Sequence, residues 1–281
     1  MERQRLHILG VNAHPHDFTH YAGTLGIHKA MGDEVTVVTM TSGSNTHNEK
    51  LADELRKPPE ERDPKIMEQS EEEYAALKID ELRRACARFD VTDVRDLGFP
   101  QPFSIDKYPD AIKALEAIIL ELRPDVMITQ SPYLTGHDGR PEGTRDDHLE
   151  TAYASIEARQ AARIAVYGNT EPPHKVAATY FPGVYFEPNE HDFIVDVSAW
   201  FEQRVEAEAT FVSQGHTPEN SHRRIMLTTG VTGSPHGIQY AEAFVREKPE
   251  VLPHIVVANA SLRAAGESYS EMTRRRLGKS G

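Results

Sequence analysis

The sequence predicts an α/β fold, a Rossmann-like, doubly wound and mostly parallel sheet, from three observations. Apolar strand-like runs alternate with amphipathic helical runs through roughly the first 165 residues, the pattern of a parallel sheet covered on both faces. The helical runs end at ordinary stop signals, Gly32 after the first and Arg123-Pro124 after the third. The chain has 281 residues, 38% of them apolar, enough for one large α/β domain or a domain with an appended lobe.

Strand runs fall at 6–11, 35–40, 94–97 and 126–129, with helices between them at about 19–31, 67–89 and 111–122. A further helix is expected over 149–163. Right-handed βαβ connections then place any ligand site at the carboxyl ends of the strands. The polar segment 44–64, with Pro58-Pro59-Glu60-Glu61, reads as a mobile loop at the rim of that site. After about residue 165 the pattern changes to β-rich pieces at 177–186 and 193–197, followed by a helix over 198–214. We expect one domain over 1–281: a core of about 1–165 and a β-rich C-terminal extension of about 166–281 that walls the site.

A formal charge of −13 argues against nucleic acid as a partner, because that binding depends on clustered Lys and Arg neutralising phosphates. Arg274-Arg275-Arg276 reads as a solvated tail. A lone cysteine, Cys86, sits in a helical run as a small core residue and forbids an intramolecular disulfide. No apolar stretch approaches the ~18 residues needed to cross a bilayer, and residues 1–5 lead into a strand rather than a signal sequence. The expectation is a soluble, cytoplasmic protein acting on a small molecule, with no nucleic-acid or membrane partner; a homo-oligomer is left open.

Chemistry concentrates in two turns. Asn12-Ala13-His14-Pro15-His16-Asp17 follows the first strand, and Arg145-Asp146-Asp147-His148 comes after the fourth and opens a helix. Imidazole and carboxylate are good Zn²⁺ ligands, and a catalytic site uses about three of them with one position open. His14, Asp17 and His148 supply such a His₂Asp set, joined only if the parallel topology brings the two turns together. Each turn also has an ordinary reading, a hydrogen-bonded strand-end His or an Asp147 that caps its helix; their joint placement favours a divalent metal, Zn²⁺ first. The alternative of a nucleotide-binding protein is disfavoured, because the first turn lacks the Gly-x-Gly-x-x-Gly through which a pyrophosphate approaches backbone amides.

Ala13-His14-Pro15-His16-Asp17, with Ala22, Gly23 and Gly26 after it, resembles the Ala-His-Pro-Asp-Asp-Glu signature of the LmbE-like, or PIG-L, deacetylases. These zinc enzymes remove an N-acetyl group from glucosamine-containing substrates. Arg123-Pro124-Asp125-Val126, Asp147-His148, Asp196-Val197-Ser198, Ser213-Gln214 and Tyr240-Ala241-Glu242-Ala243-Phe244 resemble the family's later blocks. The resemblance implies Asp17 as a ligand and puts His16 where the general-base Asp stands. His16 then serves either as the base, which an imidazole near pKa ~6.5 can do, or as a fourth metal ligand. Arg145 occupies the place of the first His of His-Pro-Asp-His, where its fork of donors can hold an oxyanion but not deliver a proton. Asp146 or Asp147 is expected to orient a catalytic histidine or the ligand His148, Asp147 being preferred from the motif, and His20 is placed either beside His16 or on a helix surface. Ser42, His137 and His236 are candidate substrate contacts, with His137 and His236 also candidate proton donors. The leading expectation is hydrolysis of an amide or N-acyl C–N bond, in an N-acetylated sugar or a related small molecule. The rivals are metal-dependent cleavage of another bond (glycoside, C–C or C–O) and a non-catalytic small-molecule-binding relative.

Overall fold

The computed structural model describes residues 3–134, 146–165 and 171–278. In chain order the elements are β1 (His7–Asn12), α1 (Ala22–Ala30), β2 (Glu34–Thr39), α2 (Glu49–Arg56), α3 (Pro64–Met67), α4 (Glu71–Ala87), β3 (Asp93–Asp96), α5 (Asp110–Leu122), β4 (Val126–Thr129) and α6 (Asp147–Ala162). The extension adds β5 (Ala178–Pro182), β6 (Phe193–Asp196), α7 (Phe201–Ala209), α8 (Pro218–Gly233), β7 (Ala241–Arg246), α9 (Asn259–Gly266) and α10 (Tyr269–Arg276). Among the described residues, no helix is long and apolar enough to cross a membrane.

The strands form one seven-stranded sheet in the order β3-β2-β1-β4-β5-β7-β6. β1 pairs in parallel with β2 and with β4, and β4 with β5, whereas β7 runs antiparallel to both β5 and β6. The chain winds outward from β1 to β3 and then returns to β4 on the other side of β1, so a topological switch point lies between β1 and β4. Ligands of open α/β sheets sit outside the carboxyl ends of the strands at such a point. β1 is apolar on both faces because both are covered. Ile8 joins a core with Leu25, Leu82 and Phe89 under α1 and α4, while Leu9 and Val11 join a second core with Leu115, Ile119 and Ala158 under α5 and α6.

The four core strands fall within a residue of their expected positions, and the helices differ mainly at their starts. Pro15–His20 forms a 3-10 turn before α1. α4 begins where Ser70 and Glu73 make a capping box, not at residue 67. Gly26 lets α1 approach closely, since a Cβ there would lie 2.6 Å from Phe89 and 2.9 Å from Trp200. The segment 44–64 is not the structureless loop expected from its polarity: Asn48 caps α2 through Leu51 N at 3.1 Å, and the buried Glu54 takes the Asp63 amide at 2.9 Å. The expected helix 198–214 is α7 flanked by 3-10 turns, Ser198–Trp200 and Val212–Gln214, the second ending at Gly215 with φ 77°. Arg275 of the basic run pairs with Glu267 and donates to Gly237 O, which corrects the expectation of a freely solvated tail. Cys86 is buried in the core, where burial pushes its thiol pKa well up.

A buried charge ties the extension to the core. The residue before α1, Tyr21, provides no side-chain cap, and the freed amides are taken by Glu242 of β7, from Gly23 N at 2.9 Å and Thr24 N at 2.7 Å. Arg204 of α7 balances that carboxylate at 3.0 Å and donates to Thr19 O at 2.7 Å. With Glu242 and Arg204 only 1% and 5% exposed, removing one partner leaves an uncompensated buried charge. Glu242→Ala is expected to lower unfolding stability by about 3–5 kcal/mol; urea denaturation checks this, and a loss under about 1 kcal/mol would show that the pair does not anchor the extension.

Candidate metal centre

β1 ends at Asn12, whose carbonyl receives Met40 N at 2.8 Å and whose side chain takes the Tyr21 hydroxyl at 2.7 Å. The following turn is tied to the loop after β2, where Thr41 N and Thr41 Oγ1 both donate to Ala13 O, at 3.1 and 3.0 Å. Gly43, with φ 69°, lets that loop close on Pro15; a Cβ there would meet Pro15 and Lys78 at 3.2 Å. The turn itself is 3-10, in which residues three apart eclipse one another. His14 at its N-cap and Asp17 therefore face the same way, and Asp17 Oδ2 accepts from His14 N at 2.9 Å.

His148 arrives from the first turn of α6. Its Nε2 lies 3.4 Å from Asp17 Oδ1, and its ring meets that of His14 edge-on at 4.8 Å between centroids. Ligand atoms of His14, Asp17 and His148 all fall within 4.8 Å of one another. Each donor is held from behind. Gln130, just after β4, donates to Asp17 Oδ2 at 3.0 Å and accepts from the Tyr185 hydroxyl. Asp147 Oδ2 takes His14 Nε2 at 2.9 Å and is itself fixed by Gln101 Nε2 at 2.7 Å, while Phe103 N donates to Oδ1 at 2.7 Å. Asp146 takes His148 Nδ1 at 2.9 Å while capping α6 through Leu149 N at 3.0 Å. With those nitrogens protonated, His14 Nδ1 and His148 Nε2 are the atoms turned to the cluster; a cation there would displace the further proton that Asp17 and Asp146 favour on His148. Carboxylates that fix imidazoles in this way are the usual support of metal-ligating histidines.

The electrostatics favour a positive charge at this place. Burial alone would discharge His148, but Asp17 and Asp146 outweigh it and lift its pKa to about 10. Burial likewise opposes the Asp17 charge, yet His148 and His14 hold that carboxyl well below the usual carboxylate range. Two imidazoles and one carboxylate with an open side fit a divalent cation such as Zn²⁺, on donor chemistry and spacing.

The structure distributes the remaining sequence candidates differently. His16, one residue before Asp17, is rotated by about 120° from the ligand face of a 3-10 turn. Its Nε2 lies 3.2 Å from Glu208 Oε1 of α7, and its ring stacks on His216 at 4.9 Å; it is gathered with those groups and not with the trio. Asp147 serves His14, so the partner of His148 is Asp146, a correction to the preference drawn from the motif. His20 is half-buried at the end of the 3-10 turn, 6.4 Å from the His16 ring and 5.7 Å from that of Tyr185, not on a surface helix. Ser42 is half-buried in the loop that Gly43 packs on Pro15. His236 is exposed in the 3-10 turn after α8 and is not gathered with the trio. His137 and Arg145 lie outside the described residues.

Sequence reasoning did not single out Gln101, Gln130, Tyr185, Glu208 or His216. Gln130 had a signal, as the first polar residue past an apolar strand at the switch point. Glu208 had one too, a carboxylate at core spacing behind Phe201 and Val205 of one helix. Gln101 and Tyr185 sit in irregular segments where periodicity carries no information.

This is a doubly wound α/β protein with a candidate three-ligand metal centre at its switch point. The chain belongs to the PIG-L family, described as GlcNAc-PI de-N-acetylase, which matches over residues 9–159. It is 31% identical over 183 residues to 1D-myo-inositol 2-acetamido-2-deoxy-alpha-D-glucopyranoside deacetylase of Thermomonospora curvata, covering 59% of this chain and 56% of that protein. The chain thus spans little more than half the length of that relative. Among solved structures it resembles GalB, the 4-carboxy-2-hydroxymuconate hydratase of Pseudomonas putida KT2440, with TM-score 0.69 at 18% identity over 89% of this chain and 100% of the other. It also resembles N,N'-diacetylchitobiose deacetylase of Pyrococcus horikoshii, with TM-score 0.65 at 21% identity, covering 86% and 84% of the two chains. At such identities the structural likeness speaks for the fold.

Asp147→Asn removes the acceptor that holds His14 in its tautomer and should weaken cation affinity about 10–100-fold. Competition with a chromophoric chelator reads this directly, and an unchanged affinity would show that Asp147 does not support a ligand.

Proposed function

We propose that this protein is a metal-dependent hydrolase of amide or N-acyl C–N bonds, with an N-acetylated sugar or a related small molecule as substrate. The observation that carries the reading is the convergence of His14, Asp17 and His148, each backed by its own hydrogen-bond partner, within 4.8 Å at the switch point. Family membership and the deacetylase activity in the name of the Thermomonospora curvata relative support it.

In this reading His14 Nδ1, Asp17 Oδ1 and His148 Nε2 hold the cation, with Zn²⁺ as the best match to two imidazoles and a carboxylate. When bound, the cation polarises a carbonyl and makes a water more acidic. Asp146 and Asp147 orient the two imidazoles as ligands, and Gln130 with Tyr185 keeps Asp17 aimed. Arg145, two residues before Asp147 in the sequence, supplies a permanent cation for the developing oxyanion and cannot itself protonate the leaving amine.

His148→Ala and chelator treatment should each abolish acetate release from an N-acetylglucosaminyl-inositol substrate. Arg145→Ala should lower kcat by about 10²–10³-fold with the cation retained. Acetate-release assays together with metal analysis test both; metal-loaded protein that releases no carboxylate from any N-acyl sugar or amide in a broad panel would overturn the hydrolase reading.

A further inference from the structure

A second group of metal-type ligands lies on the other side of the same 3-10 turn. His16, Glu208 and His216 place ligand atoms within 4.8 Å of one another. Glu208 Oε1 is 3.2 Å from His16 Nε2 and 3.4 Å from His216 Nδ1. Two ligands each about 2.1 Å from a tetrahedral ion stand ~3.4 Å apart, so the two contacts to Glu208 have the spacing of ligands that share an ion, and the stacked His16 and His216 rings would turn to complete the set. These are charge contacts more than aligned hydrogen bonds: His16 Nε2, His216 Nδ1 and both Glu208 oxygens are buried polar atoms without a well-aligned hydrogen-bond partner among the described residues, and His16, Arg224 and His216 hold the Glu208 charge by proximity. The Glu208 carboxylate is 1% exposed, and leaving such a group poorly satisfied is costly.

We propose that His16, Glu208 and His216 form a second divalent-cation site, for Zn²⁺ or a similar imidazole-preferring metal, separate from the one formed by His14, Asp17 and His148. The three ligands come from the turn after β1, from α7 and from the loop before α8, so the ion would bind the C-terminal extension to the core. Glu208 and Arg224 both line a cavity of about 510 Å³ that also reaches His20 and His191, which gives an ion a way in. Arg224 Nε sits 2.9 Å from Glu208 Oε1 and is the cation there now, but its side chain is 44% exposed and can turn out to solvent when an ion enters. His16 then acts as a ligand, and the proposed hydrolysis does not use it as a base. The inference does not depend on that hydrolysis, and its test reads metal content and position.

The whole chain, stripped with chelator and reloaded with Zn²⁺, should hold two ions by plasma mass spectrometry. Crystals of the wild-type protein should give an anomalous peak at the zinc edge between His16, Glu208 and His216, a measurement that requires no variant to fold. His216→Ala should hold one ion, retained at the first site, and Arg224→Ala should bind the second ion about tenfold more tightly because a competing positive charge is gone. One ion at saturation, an anomalous peak at the first site alone, two ions in His216→Ala, or loss of the second ion in Arg224→Ala would each overturn the proposal.

Discussion

The Asp17 carboxylate is the point on which the site is built. A carboxylate almost excluded from water costs several kcal/mol unless charge and hydrogen bonds replace the lost hydration. Asp17 obtains that replacement from three places at once: the His14 amide in its own turn, the Gln130 amide at the end of β4, and the His148 imidazole at the start of α6. These elements meet because β1 and β4 are paired in one register, Val11 opposite Thr129, which sets Gln130 across from Asn12. A slip of one residue would invert the faces of β4 and take Gln130 away from the carboxylate. The same register that fills the two cores therefore aims the ligand.

The first turn of α6 solves a second problem, that of holding two imidazoles in opposite tautomers. His14 offers Nδ1 to the cluster and His148 offers Nε2, so one needs its acceptor at Nε2 and the other at Nδ1. Two successive aspartates provide both, because Asp146 still has the extended backbone of an N-cap while Asp147 is already helical. Their side chains diverge, one back to His148 and one across to His14. An ordinary helix start, rich in carboxylates for reasons of capping and dipole, is thereby also the support of a metal centre. The capping and functional readings of Asp146-Asp147 are not rivals.

That double use explains what was legible in the sequence and what was not. The strands β1, β2 and β4 could be read to within a residue because a parallel strand inside the sheet, covered on both faces, has to be mostly apolar. His14, Asp17 and His148 could be read because β1 and β4 pair in parallel and so end on one side of the sheet, which makes motifs 133 positions apart, as His14 and Asp147 are, neighbours by topology alone. Gln101 and Tyr185 were not legible, since their importance lies in which atom they face. The 44–64 segment was misread because its helices are held by caps and by the Glu54 carboxylate, not by an apolar stripe. The end of the chain was misread for a similar reason: a run of arginines looks solvated until Glu267 is seen beside Arg275.

The geometry at position 16 changes how the C-terminal extension is understood. Within a 3-10 turn, His14 and Asp17 eclipse one another and His16 cannot join them. Where the family signature has a short carboxylate, this chain has an imidazole that reaches α7 and the loop before α8. Glu208 and His216 meet it there, and no single substitution at 16 would have produced that arrangement; three segments agree on it. Glu242 and Arg204 make the same connection between extension and core a few residues away, by an ion pair whose carboxylate is well supplied with donors although Arg204 Nε and Nη1 are not aligned for hydrogen bonds. The cluster around Glu208 is built from the same elements but lacks the hydrogen bonds that would close it. Two buried carboxylates so alike in origin, one ringed by backbone and hydroxyl donors and the other met only by charged side chains, differ in the way a structural anchor differs from a place for an ion.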